Sequence, residues 1–198
     1  MTPMIHALTA KDLLSLEEYS IQRPTFRAQV MEHKKNRQLR VGPNATLYFE
    51  DEMTIRYQVQ EMLRAERIFE AEGIKDELDA YNPLIPDGSN WKATFMIEFE
   101  DVTERQIALT KLVNIEDRVW IQVDGCDKVW AIADEDLERE TEEKTSAVHF
   151  LRFELKPEMV TAAKSGAAIS AGIEHEDYCH QVAPVTENIR ASLVKDLN

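Results

Sequence analysis

Cysteine is nearly absent: Cys126 and Cys179 are the only two in 198 residues. That is too few for a disulfide framework, and a reducing cytoplasm is the simpler setting. Long apolar runs are missing as well. No segment approaches the roughly 18 apolar residues that cross a bilayer. The opening, MTPMIHALTAKDLLSLEEYS, reaches charges too soon for a signal peptide. Cations are scarce: 23 Lys and Arg against 37 Asp and Glu give a formal charge of −14. A potential of that sign repels nucleic acid and anionic membrane. Basic proteins, metal ions and small molecules are the partners it favours. The chain also lacks a Gly-rich phosphate loop, G-x-S-x-G, C-x-x-C and H-E-x-x-H, since HEDYCH at 175–180 is one residue too long for the last. These absences weigh against familiar hydrolases, kinases, dehydrogenases and redox disulfides, and leave open whether the chain is an enzyme.

What is present suits a folded protein, with 43% hydrophobic and 30% charged residues. The length fits one domain over 1–198, mainly helical in 1–80 and sheet-rich in 90–198. LTAKDLLSLEEYS offers Thr9 as an N-cap, with Asp12 three residues on. Pro24 is expected to open a second helix to about residue 36. A long helix is expected from Thr54 to a stop at Gly73, with Ile55, Val59, Met62, Leu63 and Phe69 as its apolar stripe. After the break YNPLIPDGSN the period becomes two. KATFMIEFE sets Ala93, Phe95, Ile97 and Phe99 against Thr94, Met96, Glu98 and Glu100. RQIALTKLV, RVWIQVD and AVHFLRFEL read as strands, VDGCDKVWAIA as a hairpin across Asp124-Gly125, and DEDLERETEEKT as a solvated loop or short helix. A short helix follows over KPEMVTAAKSG, and Thr186 caps a last amphipathic one. The predicted class is α+β: N-terminal helices on a mainly antiparallel sheet, with a C-terminal helix.

Several constellations could carry function. In GIEHEDYCHQ, a four-residue loop at 176–179 would set His175 and His180 opposite each other across a hairpin, close enough to share iron or zinc. The other reading is a polar hairpin end. Glu66 falls inside the apolar stripe of the long helix, where a lone buried carboxylate is costly, so it should be paired, protonated or bound. With Glu61 it is a candidate metal carboxylate; a structural ion pair is the alternative. Arg56 and Gln60, one turn apart, and Glu98 with His149 on the strands, are candidates for a ligand. His149 alternates with Leu151, Phe153 and Leu155, which also fits a hydrogen-bonded core histidine. Between Arg23 and Arg40 six Lys or Arg meet one acid, Glu32. This is a solvated face pairing with acids elsewhere, or a docking or anion site with Arg37 and Arg40 in it.

Four stretches, VGPNATLYFEDEMTIRYQVQEMLRAERI, NPLIPDGSNWKATFMIEFED, KTSAVHFLRFEL and GIEHEDYCHQV, together resemble a bacterial family known as a domain of unknown function. The resemblance runs from about Leu8 to the C-terminal helix. Members of that family are often encoded beside rubrerythrin-like proteins and iron–sulfur oxidoreductases of the heterodisulfide-reductase type. The resemblance implies a cytoplasmic accessory protein of peroxide defence or electron transfer, with one of those proteins as partner, and supplies no catalytic residue. The alternative expectation is a metal-binding protein or metal-dependent enzyme holding iron or zinc on His175, His180, Glu61 and Glu66.

Overall fold

A computed structural model describes residues 7–135 and 144–198. The elements, in chain order, are α1 (Leu16–Lys34), β1 (Gln38–Arg40), β2 (Ala45–Phe49), α2 (Glu52–Glu66), α3 (Ala71–Tyr81), β3 (Asn90–Ile97), α4 (Val102–Lys111), β4 (Val119–Val123), β5 (Lys128–Trp130), β6 (Ile132–Ala133), β7 (Val148–Glu154), α5 (Pro157–Lys164), β8 (Ile169–His175), β9 (Tyr178–Val182) and α6 (Glu187–Leu193). The fold is α+β. One sheet has the order β1-β2-β3-β7-β6 and the other β5-β4-β8-β9, with antiparallel neighbours throughout. Most of DEDLERETEEKT lies outside the described residues.

Strand alternation builds the core. Trp91, Ala93, Phe95 and Ile97 of β3, with Leu151 and Phe153 of β7, meet Val119, Ile121, Ala171 and Ile173 of the second sheet in one buried cluster. At one corner the chain passes from β5 in one sheet to β6 in the other through Ala131, as in sandwiches whose strands switch layers. The opposite face of β3 and β7 carries Lys92, Thr94, Phe150 and Arg152. The helical part has its own smaller core of Leu8, Ile55, Val59, Leu63, Leu78 and Ile85.

Local chemistry accounts for three differences from the sequence reading. Thr9 does act as an N-cap with Asp12 closing its box, but of a 3-10 turn, Ala10–Asp12; a single α-helix follows, with Ser15 as N-cap and Glu18 closing its capping box. Pro24 lies inside it; Ser20 and Pro24 are exposed, so the carbonyl that loses its donor can bond to water. The long helix stops at Glu66 rather than Gly73, because Arg67 takes a left-handed conformation (φ 56°) and Ile68 N–H returns to Leu63 O. Glu66 therefore ends up exposed at the last turn, and Phe69 lies beyond the helix at 73% exposure. RQIALTKLV is helical, not extended: Asp101 accepts from Glu104 N–H and starts α4, which buries Leu109 and leaves Ile107 outside.

The two long helices are clasped at Glu61. Its carboxylate accepts from Tyr19 Oη at 2.7 Å and from Arg23 Nε and Nη2 at 2.7 and 2.8 Å. The Arg23 bonds, followed by Tyr19, hold the Glu61 carboxyl down at about 2, against an ordinary 4.5. A depressed acid stabilises the fold above its unfolded value and loses that contribution as pH falls through the folded one. Glu61→Gln should therefore flatten the acid limb of stability between those two values. At neutral pH it should cost only ~1 kcal/mol, because solvent screens the half-open pair. Urea unfolding at a series of pH values checks both expectations.

Candidate functional site

The structure does not bring His175, His180, Glu61 and Glu66 together. His175 pairs with Tyr178 and His180 with Ile173, so the turn has two residues, Glu176-Asp177, and not the four that would oppose the imidazoles. His175 accepts from Asp177 N–H at Nδ1 (3.1 Å) and donates from Nε2 to Val113 O (3.0 Å), which uses both nitrogens. His180 is exposed against the Tyr178 ring, 4.6 Å between centroids, above Gly42. The Tyr178 hydroxyl donates to Val41 O and accepts from Asn44 N–H, tying this hairpin to the end of β1. Glu61 belongs to the helix clasp and Glu66 to the surface.

The basic segment is largely committed within the chain. Arg23 holds Glu61, His33 meets Asp51, Lys35 meets Glu32, and Arg40 donates to the carbonyls of Gly42 and Pro43. Arg37, offered above as a docking residue, is 2% exposed. It donates to Phe49 O, Glu50 O, Ser192 Oγ and both oxygens of Asp196. Burial works against its charge, and Asp196 and Asp51 together outweigh that penalty and raise its pKa.

The remaining candidates fall in three places. Arg56 and Gln60 line one groove between α1 and α2. Glu98 and Arg40 line a second hollow on the open end of the first sheet, where Glu98 accepts from Thr46 and Tyr48 hydroxyls. His149 is fully buried on the apolar face of β7. Its Nδ1 lies 2.6 Å from Asp134 Oδ2, and its Nε2 lies 2.9 Å from Thr145 Oγ1, 3.0 Å from Ser146 O and 3.7 Å from Glu116 Oε2. Among the described residues, Glu116, Asp134 and His149 are the group whose ligand atoms all fall within 4.8 Å of one another.

One further ligand-sized space was not visible in the sequence. Between α3, the 3-10 turn Asn82–Leu84 and the outer face of β3 and β7 lies a cavity of about 550 Å³, within the size of small-molecule sites. Its walls are mainly apolar, from Met62, Tyr81, Leu84 and Phe150. Lys92 and Arg152, directly opposed in the β3–β7 register, lie in its floor. Burial, aided by Arg152 and opposed by Asp87, lowers the Lys92 pKa. Lys92 Nζ donates to Pro83 O, and Arg152 holds Glu135 and Glu154. On the wall, burial and then the nearby Glu66 and Asp76 raise the Glu77 pKa. Cations on the solvent side of two strands are a weak signal; only the helices laid over them make a pocket.

Comparison with other proteins agrees with this fold. A crystal structure from Burkholderia pseudomallei, described as a novel protein of unknown function, is 53% identical, covers 98% of this chain and 100% of its own, and superposes with a TM-score of 0.93. No curated protein matches. The family described as "Protein of unknown function (DUF3501)" matches residues 7–197, and with that span the chain belongs to it.

Proposed function

We propose that the chain is a small-molecule-binding accessory protein whose ligand occupies the cavity under α3. The observation that carries this reading is the Lys92–Arg152 pair in the floor of a mainly apolar cavity. Like charges directly opposed on neighbouring strands are unfavourable, and the half-buried amine adds to that cost. Glu135 and Glu154 already answer Arg152, and a ligand with an apolar body and a carboxylate or carbonyl end offsets the cost that remains at the half-buried amine. Benzoate and hexanoate are suitable probes, followed by amide chemical shifts. The expected result is saturable shifts at Ala80, Lys92 and Phe150 that vanish in Ala80→Trp, which fills the space. No saturable change up to roughly 10 mM, weaker than any useful affinity, or changes only elsewhere, would overturn it.

The setting proposed with this reading follows the resemblance: a cytoplasmic protein acting beside an iron–sulfur oxidoreductase or a rubrerythrin-like protein. The acid excess of the chain favours a basic face on that partner. Co-purification at low salt tests it, and failure to associate counts against the partner without touching the cavity.

A second reading, iron or zinc binding, is favoured by Glu116, Asp134 and His149. An imidazole nitrogen among oxygen donors suits a borderline divalent ion. Metal that binds only the folded chain must raise its melting temperature. Protein that retains no Fe(II) or Zn(II) and melts unchanged in their presence would end this reading.

A further inference from the structure

Lys92 sits where an amine becomes a nucleophile. Strand β3 carries it to the floor of the cavity under α3, whose walls include Met62, Leu84 and Phe150. The register with β7 sets Arg152 directly beside it. Lysines that condense with carbonyl compounds are activated by desolvation in an apolar pocket or by a neighbouring cation. Lys92 meets both conditions. Burial is the largest influence on its amine; Asp87 opposes that influence, Arg152 reinforces it, and Glu135 and Glu154 oppose it more weakly. The net direction is down, so more of the amine is neutral than in an open lysine.

The surroundings leave that nitrogen able to react. Its hydrogen bond runs outward, from Nζ to Pro83 O, and a neutral amine keeps such a bond without spending its lone pair. Glu135 and Glu154 are engaged by Arg152, so neither is committed to Lys92 as an ion-pair partner. The guanidinium itself stays protonated and forms no imine. Among the described residues that line the cavity, Lys92 alone carries a primary amine.

We propose that Lys92 captures the carbonyl group of a small apolar aldehyde as a Schiff base within this cavity. The inference rests on the ligand reading given above and adds a covalent step to it. The nitrogen lone pair forms a bond to the carbonyl carbon, and the C=O electron pair moves to oxygen. Both amine hydrogens then leave with that oxygen as water, and a C=N bond remains. No oxidant or reductant is consumed. The apolar walls hold the aldehyde's body against the amine, which turns an encounter between two molecules into a reaction within one complex.

The test is to incubate the full chain with hexanal and cyanoborohydride, which reduces the C=N bond to a stable secondary amine, and to map the modified peptides. Lys92 is expected to be alkylated roughly tenfold or more ahead of the other lysine side chains, with a rate that saturates in hexanal. Hexanoate should protect it, and Ala80→Trp, which fills the space, should remove the preference while amide spectra show the variant folded. Alkylation spread evenly over the lysines, or a preference for Lys92 that survives in folded Ala80→Trp, would overturn the inference. If hexanoate still shifts Ala80 and Phe150 in that case, the cavity remains a ligand site and only the covalent step is lost. Absence of those shifts together with absence of the Lys92 adduct removes both.

Discussion

Arg37→Ala will cost the fold about 3–5 kcal/mol, because it leaves Asp196 buried without its cation. The guanidinium fastens the backbone carbonyls of Phe49 and Glu50, at the end of β2, to Ser192 and Asp196 at the C-terminus. One residue therefore joins the first strands to the last helix. Burial pushes the Asp196 carboxyl up to about 6 even with Arg37 beside it, and removing the arginine moves it higher. An acid whose folded pKa is raised stabilises the fold most below its unfolded value and loses that contribution as pH rises through the folded one. The Arg37→Ala deficit should accordingly be largest near neutrality and shrink towards about pH 5. Urea unfolding at the two pH values measures it. Arg37→Met with Asp196→Leu should recover most of the loss, since a buried pair replaced as a whole by apolar groups is often neutral. A single variant as stable as the parent would show that Arg37 is not the fastening this geometry makes it.

Periodicity carried much of the fold. Ala93, Phe95 and Ile97 alternate because one face of β3 is buried against the second sheet, and hydrophobicity records burial directly. The Asp124-Gly125 turn was readable because Gly125 needs a positive φ, here 79°. RQIALTKLV misled because its apolar residues are few enough to fit either period, and the Asp101 cap decided the outcome. The site was less legible for a different reason. Arg56 and Gln60 share a groove because they are helical neighbours, which spacing shows. Lys92 and Arg152 meet only through a strand register between residues sixty positions apart, and no local pattern encodes that. The His175–His180 juxtaposition depended on turn length, since a two-residue turn in place of four moves each imidazole opposite a different residue.

His149→Ala will be comparably severe, at about 3–5 kcal/mol. The imidazole fills space at 0% exposure and lies between two carboxylates, Asp134 at 2.6 Å and Glu116 at 3.7 Å. Its loss leaves a cavity and also takes a hydrogen-bond partner from Asp134. Asp134→Asn, which keeps the shape and can still meet Nδ1, should cost only about 1–2 kcal/mol. The same pair of variants separates the two roles open to this cluster. A hydrogen-bonded core element gives the same deficit in chelator as in Fe(II) or Zn(II). A metal site stabilises the parent alone when metal is added, by an amount set by affinity and concentration, so the gap to His149→Ala widens. Thermal unfolding of parent and variant, with and without metal, reads that gap directly. An unchanged gap assigns Glu116, Asp134 and His149 to the architecture that holds β6 and β7 in place.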